Sequence, residues 1–310
     1  MYDRTLPPAA ARAVRPPATG RASVQSIAWS YFFLLPSIVP FLVFTALPLL
    51  QSIVMSVQNV QVRGPSAFVG LSNFANVVEN PIFWKGVANS AIYTAFVVPI
   101  WLVIALFLSA LVFSLPLRLH GPVKGAFYLP GVVSGVVISL IWSFVFHPQS
   151  GLLNALMDVL GLPHQYWLGH PKTALGSLIF MSLAGGGGGS IVLFTASMAA
   201  IPYDLHEVAM VDGATPITRF FRITLPLLKP IILFMLITGT IGSFQIFEPV
   251  LILTAGGPNY ATTTVVFQIY QYAFQYFKFG IASAQALLLA VVIMIISVIQ
   301  FRLLASDVSY

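Results

Sequence analysis

The chain has no cysteine and almost no charge. Without cysteine there is no disulfide, no thiolate nucleophile and no Cys-ligated metal. Charged residues make up 7% of the 310, where a soluble domain carries roughly 25%. Acidic residues are the scarcer kind, 8 against 14 basic. A surface this poor in charge cannot hold a chain of this size in water, which excludes an ordinary soluble enzyme. The net charge of +6 is spread too thinly for a nucleic-acid footprint. A phosphate-cradling G-x-x-x-x-G-K-[ST] loop is missing too. The run Gly185 to Gly189 is followed by Ser190 and Ile191, without the lysine that reaches phosphate. What the chain does have is 58% hydrophobic residues and a mean hydropathy of +0.93. It reads as an all-α integral membrane protein.

Charge is expensive in hydrocarbon, so long uncharged intervals mark the spans. Six stand out, at 22–62, 86–117, 125–157, 173–203, 230–247 and 279–301. They place six transmembrane helices near 28–56, 88–115, 125–147, 174–200, 230–253 and 281–304, the fifth accommodating Glu248. Residues 1–25 carry four arginines among prolines and alanines and cannot bury an apolar face, so this segment is expected to be disordered and cytoplasmic. The apolar stretch after Trp29 is too long for a signal-peptide core and reads as a true first span. Residues 26–310 then form one transmembrane domain. With the N-terminus cytoplasmic, ten of the 14 basic residues fall inside, including Arg118, Lys124, Arg219, Arg222, Lys229 and Arg302. Only Arg63, Lys85, Lys172 and Lys278 fall outside. The positive-inside rule therefore puts both termini in the cytoplasm.

The most polar internal stretch, 202–226, lies between the fourth and fifth spans on the cytoplasmic side. Helical character runs to Val211, with Leu205, Val208 and Ala209 on one side. Asp212-Gly213 then supplies a turn that needs φ > 0. Thr215-Pro216 starts a second short helix, which Pro226 is expected to end. Such a helix–turn–helix is either a rigid knob for a partner protein or an ordinary connection.

This segment resembles the EAA loop of binding-protein-dependent ABC importer permeases, E-A-A-x3-G-x9-I-x-L-P. The matching residues are Glu207, Ala209, Gly213, Ile223, Leu225 and Pro226, with Val208 in place of the first alanine. Further stretches are similar to sugar-type permeases: Gly70 to Phe74 with Phe83-Trp84 and Asn89-Ser90, Leu253 to Pro258 with Thr262-Thr263 and Ile269-Tyr270, and Gly280 to Ala284. The resemblance covers roughly residues 30–305 and points to the maltose and glycerol-phosphate permease branch. It implies a type I ABC importer permease fold in the bacterial inner membrane. The implied partners are a second permease subunit, two ATPase subunits that bind ATP and Mg, an extracytoplasmic solute-binding protein and a carbohydrate. This chain itself would bind no cofactor and catalyse nothing. By the same resemblance Glu207, Ala209, Asp212, Gly213, Ile223, Leu225 and Pro226 would couple it to the ATPase.

For the pathway, the glycine run within the fourth span has two readings: close helix packing, or a widened cavity with accessible backbone at Gly185, Gly186, Gly189 and Ser190. In the fifth span Gly242, Ser243 and Gln245 offer polar groups. Glu248 is a functional candidate because an acid in a span is costly unless it faces a cavity or partner; its alternative is a place at the outer headgroups. Phe244 and Phe247 read as packing before sugar stacking. Trp29, Tyr31, Trp84 and Trp142 read as interfacial anchors, and the 270–276 aromatics as an outer interfacial segment. His164, His170 and Asp158 share an outer loop but form no compact metal-ligand set. The rival class is an ion-driven secondary transporter, which commonly shows repeats and paired intramembrane charges. One acidic residue and no evident repeat argue against it. Glycerol-phosphate is the alternative solute, disfavoured by spans without lysine or arginine.

Overall fold

A computed structural model describes residues 24–61, 65–185 and 187–304. The expected disordered segment falls almost wholly outside the described residues, as do Arg63 and Gly186. Among the described residues three helices are individually long and apolar enough to cross a membrane: Tyr31–Ser56, Pro81–Ser114 and Phe279–Leu304. Three bent pairs pass the same test together: Leu117–Val132 with Gly135–Val145, Ala174–Ala184 with Gly188–Ala199, and Pro216–Leu227 with Lys229–Phe244. Each of the six overlaps one uncharged interval, but the third and fifth start well before theirs, the third taking in Arg118 and Lys124 and the fifth Arg219, Arg222 and Lys229.

The chain divides into two compact units, Met1–Gln51 and Ser52–Tyr310. In the first, α1 (Val24–Phe41) contains Pro36 and Pro40. It continues through a π-turn at Leu42–Ala46, closed by Leu47 N–H donating to Leu42 O, into α2 (Leu47–Ser56). Trp29, Phe32 and Phe33 cluster at its start with ring centroids 5.7 to 6.3 Å apart.

The second unit begins with a two-residue antiparallel pair, β1 (Gln58–Asn59) and β2 (Ala67–Phe68), in which Gln58 faces Phe68. The short α3 (Ser72–Glu79) leads into α4 (Pro81–Ser114). At 34 residues α4 is about 50 Å long, well beyond one bilayer crossing. Asn80 starts it by accepting from Ile82 N–H at 2.9 Å, with Pro81 in the first turn, where its missing N–H costs nothing. Then come α5 (Leu117–Val132), α6 (Gly135–Val145), α7 (Leu152–Val159), α8 (Ala174–Ala184) and α9 (Gly188–Ala199). The loop between the fourth and fifth spans carries α10 (Tyr203–Val211), α11 (Pro216–Arg219), a π-turn at Phe220–Thr224 and α12 (Leu225–Leu227). The last stretch holds α13 (Lys229–Phe244), a π-turn at Val250–Thr254, α14 (Val265–Tyr270), a further π-turn at Gln271–Gln275 and α15 (Phe279–Leu304).

The packed face of α4 mixes small and polar residues (Gly86, Asn89, Ser90, Thr94, Ala105 and Ser109) with large apolar ones such as Phe83, Leu102 and Leu106, while Phe96, Val103 and Phe107 point outward. This is the pattern of a membrane bundle, where small residues let backbones approach and bulk faces lipid. Three core clusters line its length: Phe83 with Val265 and Leu289, Tyr93 with Leu178 and Val250, and Leu106 with Phe194 and Leu228.

Three expectations change. The fifth helix stops at Phe244 rather than 253, because the ring of Pro249 clashes with a helical carbonyl four residues back, at Gln245. Thr264 Oγ1 donates to the freed Ile246 carbonyl at 3.2 Å, and Glu248 opens a new helical segment. The third span starts earlier than 125 and is bent by 87° between α5 and α6. Val133 and Ser134 are extended there, and Ser134 Oγ caps α6 by accepting from Val136 N–H at 3.3 Å. Pro226 does not end its helix. The preceding π-turn, with Leu225 N–H on Phe220 O, widens the helix ahead of the ring, and the chain turns by 66° only at Leu228.

The stretches that resemble permeases meet at one end of this unit. Asn89 Nδ2 donates to Tyr260 O at 3.0 Å and Thr263 O at 2.9 Å, and Gln268 Nε2 donates to Ile82 O at 2.8 Å. Asn73 Nδ2 likewise holds Ser56 O and Gln58 O, both at 2.9 Å, beside Gly280, where a Cβ would overlap Gln58 O. Replacing Asn89 with Ala strands the Thr263 carbonyl and leaves Tyr260 O only the longer bond from Thr263 N–H at 3.4 Å, and a buried unpaired group costs about 1–3 kcal/mol. The expected result is a clear fall in the melting temperature of the detergent-solubilised protein. An unchanged melting temperature would remove Asn89 from this role.

Candidate functional site

The loop between the fourth and fifth spans is built as a projecting helix with a fixed end. Asp204 sits in the first turn of α10, where its charge complements the helix dipole. At the other end Gly213 N–H donates to Met210 O at 3.0 Å and Ala214 N–H to Ala209 O at 2.8 Å. That pair of bonds is the Schellman stop, and it needs the left-handed φ of +76° that Gly213 adopts. Thr215 caps α11 immediately, accepting from Thr218 N–H at 3.2 Å. The two helices are therefore joined by a short turn with both ends satisfied.

The motif residues divide into two groups. Leu225, with Phe220, packs against the cluster of Leu106, Phe194, Met198 and Leu228, which ties the loop to the spans. Ile223 and Pro226 are half-buried. Glu207, Asp212 and Gly213 are exposed, and Ala209 is half-buried. Glu207 has no ion pair or hydrogen bond among the described residues. Beside it Val208 and Val211 are 62% and 88% exposed, with Ile217 and Phe221 also uncovered. An unpaired carboxylate flanked by bare aliphatic side chains is a surface that nothing among the described residues covers.

The pathway residues lie at breaks in two spans, the fourth and the fifth. Gly185 ends α8, Gly186 lies outside the described residues, and α9 starts at Gly188 after a 48° bend. The two readings of this run separate residue by residue. A Cβ on Gly188 would overlap the backbone of Phe127 and Tyr128 in α5, and one on Gly187 the ring of Trp101, so these two serve close packing. Gly189 has nothing within 4 Å of its Cβ position and is exposed. Ser190 is buried, its hydroxyl turned to Met235 Sδ at 3.5 Å.

At the fifth-span break Gly242 is exposed with open space around it, and Ser243 is half-buried. Gln245 is the polar residue of a groove of about 330 Å³ lined mainly by Val266, Ile269, Leu289 and Ile293. Phe244 is buried in the core, and Phe247 stacks near Tyr270 at 5.1 Å. Glu248 is exposed, and its Oε2 lies 3.9 Å from the Cβ position of Gly135. The carboxylate thus stands at the N-terminus of α6, whose dipole favours negative charge. The composition shows Glu248, but its partner α6 start was missed. The Ser134-Gly135 pair after Pro130-Gly131 is the signal that marks it.

His164 Nε2 and Asp158 Oδ1 pair at 2.6 Å in the stretch between α6 and α8. No group of three or more acidic or histidine side chains comes together among the described residues.

Comparison with known proteins then bears on this arrangement. The family model described as binding-protein-dependent transport system inner membrane component matches residues 69–310. The arabinooligosaccharides transport system permease protein AraP of Bacillus subtilis (strain 168) is 30% identical, over 89% of this chain and 88% of the relative. The sn-glycerol-3-phosphate transport system permease protein UgpA of Pectobacterium atrosepticum is 30% identical, over 90% of this chain and 95% of its own. Among solved structures, a chain of a bacterial alginate ABC transporter in complex with an alginate pentasaccharide-bound periplasmic protein aligns with a TM-score of 0.80. The identity is 23%, over 92% of this chain and 98% of that one, and the likeness is one of fold.

The glycine run yields a paired test. Gly189→Ala is expected to leave expression and melting temperature nearly unchanged, as surface changes do within about 0.5 kcal/mol. Gly188→Ala, whose methyl meets backbone that cannot step aside, lowers both. Equal behaviour of the two variants would overturn the division.

Proposed function

The chain belongs to the binding-protein-dependent transport system inner membrane components, and from that premise we propose that it forms half of the translocation pathway of an ATP-driven importer for a sugar or oligosaccharide. It is a multi-pass subunit of the inner membrane and not itself an ATPase. On this reading a second permease completes the pathway, two ATPase subunits bind ATP and Mg and supply the motion, and an extracytoplasmic solute-binding protein delivers the carbohydrate. Both termini lie in the cytoplasm, on the side of α10.

The observation that carries the coupling is the exposed, Schellman-capped α10 with its unpaired Glu207. A helix that is to transmit force must be stiff at its ends and uncovered on its face, and α10 is both. Glu207 would meet a cationic group on the ATPase, while Val208 and Val211 fill an apolar groove there. Gly213 sets the turn, Ala209 keeps the helix close to the groove wall, and Asp212 lies at the cap. Ile223, Leu225 and Pro226 pass the motion into the spans.

Gly185, Gly186, Gly189, Ser190, Gly242, Ser243, Gln245 and Glu248 would line the pathway at the span breaks. Backbone freed at a break and small hydroxyl and amide side chains suit the many hydroxyls of a sugar. A phosphorylated glycerol is the second solute to consider, since one relative is named for it. Against it stands Glu248, a carboxylate with no described cation beside it, which repels an anion.

Glu207→Lys in the reconstituted complex is expected to cut uptake at least about tenfold, the equivalent of 1.4 kcal/mol of lost coupling. ATP hydrolysis by the ATPase subunits persists. Gly213→Pro, which forbids the positive φ, gives the same uncoupling. Full uptake by Glu207→Lys would sink the assignment.

A further inference from the structure

The outer loop between α6 and α8 contains an amphipathic helix that is turned inside out. On α7, Leu152, Leu156, Val159 and Leu160 recur at i, i+4, i+7 and i+8 and so share one face. In a water-facing loop that stripe would pack inward. Here the four are 70%, 50%, 82% and 59% exposed. Asn154 is the one wholly buried residue of the helix, flanked by half-buried Leu153 and Met157, while Asp158 is exposed.

Asn154 locks this orientation. Its Nδ2 donates to Pro148 O at 2.8 Å and to Gln165 O at 3.1 Å. Its Oδ1 accepts from Gln165 N–H at 3.1 Å and from Trp167 Nε1–H at 3.0 Å. A side-chain amide has two donors and two acceptor sites, and all four are used. The loop cannot roll the leucines inward without breaking the whole set.

The helix is also held near the membrane. Only residues 146–151 separate it from the end of α6, and six residues reach about 20 Å at full extension. This link is folded instead, with Gly151 N–H on His147 O at 3.0 Å and the His147 Nδ1 accepting from Ser150 N–H at 3.2 Å. Exposed Val137, Leu140, Ile141 and Phe144 form the outward face of α6 just before it. The apolar stripe of α7 therefore starts where that of a membrane-spanning helix ends. Asp158 and His164, paired and exposed, give the loop a polar edge.

We propose that α7 lies in the outer interface of the bilayer, its Leu152–Leu156–Val159–Leu160 face sunk among acyl chains at the headgroup boundary. A short helix of strong amphipathicity is suited to that position. The lipid is the occupant favoured over a protein partner because the stripe follows directly along the chain on the exposed apolar face of α6, a helix of a membrane-crossing segment. The placement is independent of which solute the protein carries.

A chain without cysteine gives a clean test. Val159→Cys and, separately, Leu156→Cys are spin-labelled in the full chain, purified with the subunits that accompany it and reconstituted in lipid nanodiscs. Collision rates are then read with oxygen, which concentrates in lipid, and with a water-soluble nickel chelate. His164→Cys is the water-side reference. The expected result is oxygen exceeding nickel at 156 and 159, with the order reversed at 164. Nickel exceeding oxygen at 156 and 159 places the stripe in water and overturns the proposal. Suppression of both reagents there means that a protein covers it, which overturns the proposal equally.

Discussion

A peptide group inside a bilayer has no water to bind, so each N–H and C=O freed by a break in a helix must find a partner within the protein. This chain breaks three of its six crossing segments, and the structure of the second unit is organised around making those breaks tolerable. At the third span Ser134 takes up Val136 N–H. At the fourth, Gly185 N–H still reaches Met181 O and Ser190 N–H reaches Gly187 O, so each half closes on itself. At the fifth, Gln245 N–H returns to Gly242 O while Thr264 serves Ile246 O. Each break thus satisfies much of its own freed backbone.

Buried asparagines do the same work at the outer end. Asn73, Asn89 and Asn154 lie in separate places, yet each offers its two amide hydrogens to two carbonyls of irregular chain. A leucine in any of these positions would donate to neither carbonyl. Small residues complete the fit. Gly86 lets Gln268 cross to the Ile82 carbonyl, and Gly280 lets α15 meet the strand at Gln58. The stretches that resemble permeases, such as Gly70 to Phe74 and Leu253 to Pro258, are thus largely scaffolding for this end of the bundle.

The six crossing segments were legible in the sequence because charge is costly in lipid and its absence is plain to count. The helix–turn–helix between the fourth and fifth spans was legible because Gly213 and the Thr215-Pro216 start act locally, within a turn of where they stand. What escaped were effects displaced along the chain or dependent on distant neighbours. Pro249 ends a helix four residues before itself. The π-turn that carries the helix past Pro226 leaves no compositional mark. Ser134 and Gly135 sit inside an apolar run that hides a bend of 87°. The five glycines announced a weak helix, but only the approach of α5 and Trp101 distinguishes Gly188 and Gly187 from Gly189.

The bare face of α10 has a consequence before any transport occurs. Among the described residues nothing covers Val208, Val211, Ile217 and Phe221. On the proposed reading they are hidden only when the ATPase docks. A subunit made in excess of its partners therefore displays a sticky apolar mark on the cytoplasmic side, where chaperones and proteases can read it. The surface that would transmit force in the finished complex would also report, in the unfinished one, that assembly is incomplete.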